Sequence, residues 1–299
     1  MKLTFLGTGA ADWDINAFAP GVEFRRFSSA LVNDDLLIDP GPHIFHFAQY
    51  NGTPEMFRNV RNIIVTHTHS DHFCIDTVEK LCVGTDVTLW GDPACLRKLL
   101  KHSGPEKTGK MHIKEFGSPS GDPYSIGGYE IWPLRSNHET EDLEEITRLY
   151  LIGQTPEHAG GGENSKNGES GNNSESSNSG ENGETRKNGE ALLLYYGCDS
   201  SWIPTASWNV IKNKPVNAMV LELTCGTAAP NDWRIFEHNT LEMLELMLKT
   251  FRKYNYFAPD VRYYVSHMAR TLHAGHSELK KELEPLGVTP AYDGLTVTI

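Results

Sequence analysis

One short stretch constrains the fold more than any other. It is Thr66-His67-Thr68-His69-Ser70-Asp71-His72, directly after the apolar run Ile63-Ile64-Val65. In an extended chain residues i and i+2 point the same way, so His67 and His69 can converge on one ion. Asp71 and His72 fall in the turn toward the next element, where they can serve a second ion. Neutral imidazole and carboxylate suit zinc, manganese or iron. A lone His-x-His is a weak signal, whereas this spacing at a strand end is a strong one. The competing reading is a polar loop with no ligand role.

Around this stretch, short runs rich in Val, Ile, Leu and Tyr are bounded by Gly, Pro, Asn or Asp and read as strands. They are Lys2 to Leu6, Ser29 to Ile38, Asn62 to Val65, Val87 to Trp90, Tyr129 to Leu134, Ala218 to Leu223, Arg262 to Val265 and Leu295 to Ile299. Leu241, Leu244, Leu248 and Phe251 recur at near-helical spacing between Asn239 and Tyr254, with Asn239 or Thr240 as N-cap. Shorter helices are expected over Ile75 to Cys82 and Ser277 to Leu286. Strands interleaved with helices predict a layered α/β architecture of two packed sheets with helices outside.

The segment from Gly160 to Glu190 contains no apolar side chain. It cannot bury enough surface to offset its conformational entropy and is expected to be a disordered insertion. It separates two strand-like runs, Ile146 to Ile152 and Ala191 to Tyr196, which are expected to be neighbours joined by a lengthened turn. Closure entropy grows only logarithmically with loop length, so such an insertion costs little. The alternative is a linker between two domains.

Composition excludes several classes. The formal net charge is -12, which opposes broad attraction to a nucleic-acid backbone. The five cysteines are scattered and odd in number, with no Cys-x-x-Cys pair, so a disulfide framework or four-cysteine zinc site is not expected. No apolar run approaches the ~20 residues of a membrane helix. A cytoplasmic protein is the expectation.

The motif at His67 to His72 resembles the hallmark of the metallo-β-lactamase superfamily. Other pieces follow in the family's order. Leu36-Leu37-Ile38-Asp39-Pro40-Gly41 is similar to its early strand with a structural aspartate, and Ser136-Asn137-His138 to its third motif. Tyr196-Gly197-Cys198-Asp199 is similar to the fourth and Val265-Ser266-His267 to the fifth. The resemblance implies a single domain over residues 1–299 with a four-layer αββα sandwich. It also implies two divalent metal ions, zinc or manganese with iron as a further candidate. His67, His69 and His138 would hold one ion and Asp71, His72 and His267 the other, with Asp199 bridging. Competing readings make His138 a surface histidine and Asp199 a turn cap, or put His273 or His276 in place of His267. His267 is favoured because it directly follows a strand. His43, His46, His102, His112 and His158 are assigned to surface or packing.

Further segments resemble the phosphodiesterase branch of RNase Z and PhnP-like proteins. They are Phe5-Leu6-Gly7-Thr8-Gly9-Ala10-Ala11, Arg26-Phe27-Ser28-Ser29, Glu237-His238-Asn239-Thr240 and the stretch from Ala291 to Val297. The resemblance implies cleavage of a small phosphodiester by a hydroxide held between two ions. Asp71 would orient it, and His238 would bind phosphate or protonate the leaving oxygen. A helix cap is the competing role for His238. The region from Ala10 to Arg25 lacks the cysteine cluster by which PhnP holds a further zinc. The insertion carries six Glu against three basic residues, a poor clamp for transfer RNA. The expected partner is thus a small phosphodiester, with no membrane or nucleic-acid partner and a homodimer left open. The rivals are a thioester, lactone or lactam hydrolase of the same fold, and a metal-binding protein without turnover.

Overall fold

The computed structural model describes residues 1–102, 111–119, 121–154, 191–227 and 233–299. The expected insertion at 160–190 and His158 lie outside the described residues. Among those described, fourteen strands form two seven-stranded sheets. The first holds β1 (Lys2–Gly7), β2 (Ser29–Val32), β3 (Leu36–Ile38), β4 (Asn62–Ile64), β5 (Val87–Gly91) and β6 (Met111–Glu115). The second holds β7 (Tyr124–Ile126), β8 (Tyr129–Arg135), β9 (Arg148–Gln154), β10 (Leu192–Gly197), β11 (Val216–Glu222), β12 (Arg262–Ser266) and β13 (Val288–Pro290). The last strand, β14 (Thr296–Thr298), returns to the first sheet beside β1. The orders are β14-β1-β2-β3-β4-β5-β6 and β13-β12-β11-β10-β9-β8-β7.

Side-chain alternation explains the layers. Successive strand residues face opposite sides of a sheet. Leu3, Phe5, Leu36, Ile38 and Ile64 of the first sheet meet Ile131, Tyr150, Leu194, Tyr196 and Val220 of the second in one buried core. Their neighbours Leu37 and Ile63 face outward, onto α1 (Ile44–Tyr50), α2 (Ile75–Leu81) and α3 (Pro93–His102). On the far side Leu193, Tyr195, Met219 and Leu221 are covered by α4 (Thr205–Ile211), α5 (Leu241–Tyr254) and α6 (His276–Leu283). Both faces of each sheet are buried, which is why the strands read as nearly continuous apolar runs. The result is the four-layer αββα sandwich.

The expected strand over Ser29 to Ile38 is two strands, not one. Asn33 and Asp34 take φ of 46° and 69°, the left-handed pair of a tight hairpin turn, and β2 and β3 pair antiparallel across it. The runs flanking 160–190 are neighbours as expected: β10 pairs antiparallel with β9, with Leu192 opposite Gln154. No helix among the described residues is long and apolar enough to cross a membrane.

Candidate metal centre

Strand ends place the donors. Val65 follows β4 and leads straight into His67, while His138, Asp199 and His267 come just after β8, β10 and β12. β10 runs parallel to β11 and β11 to β12, whereas β8 and β10 each pair antiparallel with β9. Strands β8, β10, β11 and β12 therefore point the same way, and their following loops gather at one edge of the second sheet. The motif at His67 reaches that edge from the first sheet. Gly41 permits the approach: a Cβ there would stand 2.7 Å from the Asp71 carbonyl oxygen.

All seven expected donors meet there. His67, His69, His138 and Asp199 offer ligand atoms that lie within 4.8 Å of one another, and Asp71, His72 and His267 form a second such group. His67 Nε2 and His138 Nε2 stand 3.1 and 3.0 Å from His69 Nδ1. His72 Nε2 stands 3.2 Å from His267 Nε2. Asp199 Oδ2 lies between the groups, 3.2 Å from His67 Nε2, 3.4 Å from His72 Nε2 and 3.5 Å from His267 Nε2. A carboxylate so placed is within reach of both groups of donors.

Hydrogen bonds behind the rings fix which nitrogen faces inward. The Thr66 hydroxyl donates to Asp39, so it can only accept from His67 Nδ1–H at 3.0 Å. The Thr224 hydroxyl donates to the His267 carbonyl at 2.6 Å and accepts from His267 Nδ1–H at 2.7 Å. His72 Nδ1–H donates to the buried Asp39 carboxylate at 2.8 Å. In the neutral rings three Nε2 lone pairs therefore point at one another and at carboxylate oxygens. Such an arrangement is repulsive without a cation and matches the chemistry of a divalent ion. The donor set fits the implied ions, and Asp39 supports the rings from behind.

Burial holds His67 well below its ordinary value and His138 at about 4, which favours the neutral, ligating form of each. Burial pushes the Asp199 carboxyl up, but the imidazoles of His138, His267 and His238 outweigh it and hold it well below the carboxylate range. His72 goes the other way: burial opposes its charge, yet Asp71 and Asp39 raise it well above 6.5. A bound cation would take the place of that proton.

His238 joins the same pocket. Its Nδ1 lies 3.1 Å from Asp199 Oδ1 and 3.3 Å from Glu222 Oε1. Burial opposes its charge, but Asp199 and Glu222 prevail and push it up to about 11. Cations beside Asp199 would lower that value. Thr240, not His238, caps α5, its hydroxyl accepting the Met243 N–H at 3.3 Å. His273 and His276 stand elsewhere: His273 Nε2–H donates to the Leu223 carbonyl, and His276 lies against Arg25 at 3.1 Å. His43 packs on Phe27, His46 accepts from Arg26 Nε–H, and His102 and His112 are exposed.

Several residues of the pocket were not visible in the sequence. Glu222 is fully buried and accepts the N–H groups of Thr224 and Asn239 at 2.7 and 2.8 Å. A carboxylate closing the apolar run of β11 was its one available signal. Asn137 accepts from the Ser200 hydroxyl and the Ser201 N–H, and donates to Ser201 Oγ at 2.6 Å and to the Phe236 carbonyl at 3.4 Å. It thus ties together the loops bearing His138, Asp199 and His238.

Residues 35–157 match the model of the beta-lactamase superfamily domain. No curated protein matches the chain. Among solved structures, Zn(2+)-bound PqqB from Methylobacterium extorquens is 15% identical with a TM-score of 0.64, over 100% of both chains. The metallo-beta-lactamase fold protein YhfI from Bacillus subtilis is 14% identical with a TM-score of 0.63, over 99% of this chain and 98% of that one. Human tRNase Z, short form, is 14% identical with a TM-score of 0.61, over 100% of this chain and 99% of that one. The match over residues 35–157 and the likeness to these structures show a chain with the metallo-β-lactamase fold.

Proposed function

We propose that this protein is a metal-dependent hydrolase that cleaves a small phosphodiester. The observation that carries the reading is the convergence of seven donors, beside an eighth polar side chain, His238, whose Nδ1 lies 3.3 Å from the Glu222 carboxylate. His67, His69 and His138 would hold one divalent ion and Asp71, His72 and His267 another, with Asp199 shared. Zinc and manganese suit these donors, with iron a further candidate. When bound, such ions generate a nucleophile from water at neutral pH and neutralise charge on phosphoryl oxygens.

The chain's own groups supply the rest. Asp71 Oδ2 sits 3.4 and 3.7 Å from the ring nitrogens of His72 and His267, where a carboxylate can both ligate and accept a proton from attacking water. Glu222 orients His238, whose imidazole can donate a proton to a leaving alkoxide. This proton donor favours a diester, whose alcohol is a poor leaving group. The resemblance of segments around Gly7, Arg26 and His238 to diesterases supports the same choice.

The mouth argues for a small substrate. Glu139 neighbours His138, Glu141 approaches His69 Nε2 at 3.8 Å, and Glu237 approaches His138 Nδ1 at 3.1 Å. Carboxylates so placed repel a polyanion such as nucleic acid.

The test is metal analysis with hydrolysis of bis(p-nitrophenyl) phosphate and an acyl-thioester side by side. The metal-loaded protein should turn over the diester. His67→Ala should lose metal and activity together. On a diester of an unactivated alcohol, His238→Ala should keep its metal and lose about 100-fold or more in turnover. Faster cleavage of the thioester than of the diester would refute the reading.

A further inference from the structure

The ring nitrogens that face away from the pocket offer more than the ligands do. For His67, His72 and His267 the outward nitrogen has a hydroxyl or carboxylate acceptor at 3.0 Å or less. His138 differs. Its Nε2 faces inward, 3.0 Å from His69 Nδ1, and its Nδ1 is buried without an aligned hydrogen-bond partner. Two carboxylates stand near that nitrogen. Asp199 Oδ1 is 3.4 Å away and closer still to His238 Nδ1, at 3.1 Å. Glu237 Oε2 is nearer, at 3.1 Å from His138 Nδ1.

We propose that Glu237 is a positioning residue whose carboxylate takes the Nδ1–H of His138 and so commits Nε2 to the metal. The inference rests on the two-ion reading above. Local structure supports it. The short helical turn Trp233–Phe236 ends just before Glu237, whose N–H donates to the Arg234 carbonyl at 3.0 Å. The preceding Phe236 carbonyl is held by Asn137 and Ser201, both 3.4 Å away. The backbone that aims Glu237 is therefore anchored to the loop that carries His138. The carboxylate side chain remains 30% exposed against 5% for the histidine, so its charge stays hydrated while one oxygen serves the buried ring. A carboxylate behind a ligating imidazole raises the basicity of the ligand as well as fixing its tautomer.

The test needs no substrate. Metal-free, full-length wild type, Glu237→Ala, Glu237→Gln and Glu237→Asp are titrated with zinc against a chromophoric chelator and with cobalt(II) by absorption. Wild type should bind two equivalents. Glu237→Ala should also bind two, one of them weakened roughly 10- to 100-fold, with a changed cobalt spectrum. Glu237→Gln keeps an acceptor oxygen without the charge and should recover part of the affinity. It also carries the test if the alanine variant fails to fold. Zinc affinities within about twofold across all four proteins would overturn the proposal. Loss of one whole equivalent in Glu237→Gln would also overturn it, by making Glu237 a ligand. A wild type that binds two ions but cleaves no diester would sink the diesterase reading and leave this one standing. A wild type that binds no metal would sink both.

Discussion

Asp39, Asp199 and His267 have φ of 58°, 63° and 57°, a region that side chains other than glycine seldom occupy. Each such residue costs on the order of 1–3 kcal/mol and persists where surrounding bonds overdetermine it. Asp199 is held by the Ser136 hydroxyl at its carbonyl, and His267 by Thr224 at both ring and carbonyl. The strain buys direction, since Asp199 and His267 leave their strand ends pointing into the pocket and Asp39 turns onto the back of His72. His273, outside the ligand set, carries a different consequence. Burial, opposed by the Leu223 carbonyl and helped by Arg25, lowers it to about 4. The unfolded chain then binds the extra proton between pH 6.5 and about 4 and the folded chain does not, so stability falls as pH falls through that window. Wild type should lose on the order of 1–3 kcal/mol more than His273→Gln between pH 6.5 and 4, by urea unfolding at each pH. Equal losses would contradict the assignment. At this scale the ligand types were legible because His-x-His-x-Asp-His is dense and follows a strand. Glu222, Glu237, Asn137 and Thr224 were not, because one carboxylate, amide or hydroxyl has no spacing to betray it. Their roles exist only once strand order brings distant loops together.

Helix α5 shows what periodicity does and does not reveal. Leu244, Met247, Leu248 and Phe251 are buried against the second sheet, and Asn255 ends the helix at a left-handed φ of 51°. The apolar spacing located this face and nearly fixed its N-terminus. Leu248→Ala should cost about 2–5 kcal/mol, whereas Leu246→Ala, at a position 55% exposed, should stay within about 0.5 kcal/mol. Chemical denaturation of the two variants checks the contrast, and similar costs would mean the face is misassigned. Helices α1, α2 and α4 have seven residues each, but α1 and α4 lack the acidic first turn and basic last turn that α2 carries in Asp76 and Lys80. The hairpin between β2 and β3 hid inside one apolar run, although Asn33-Asp34 was the turn signal. Helix α3 opens at Pro93, with the Ala94 N–H donating to Asp92 at 3.1 Å, a start signal that went unused.

Across the whole molecule, alternation and strand–helix order were enough to predict two sheets with helices outside, because burial on both faces leaves a plain apolar record. The pairing order was not in that record, since it depends on contacts between distant segments. The pairing of Leu192 with Gln154 has a practical outcome. The two ends of the intervening segment already lie side by side, so a short turn can replace most of it. Deleting residues 160–189 should leave the thermal midpoint and metal content unchanged, measured by calorimetry and elemental analysis. A protein that no longer folds would show that the segment contributes to the fold.

The donors have divided origins: His67, His69, Asp71 and His72 hang from one sheet, and His138, Asp199 and His267 from the other. A cation held among them would rivet the two halves of the sandwich at their open edge. Without it only the His72 proton would bridge the two sets of donors, so the rim of the molecule should breathe there first while the apolar middle stays shut.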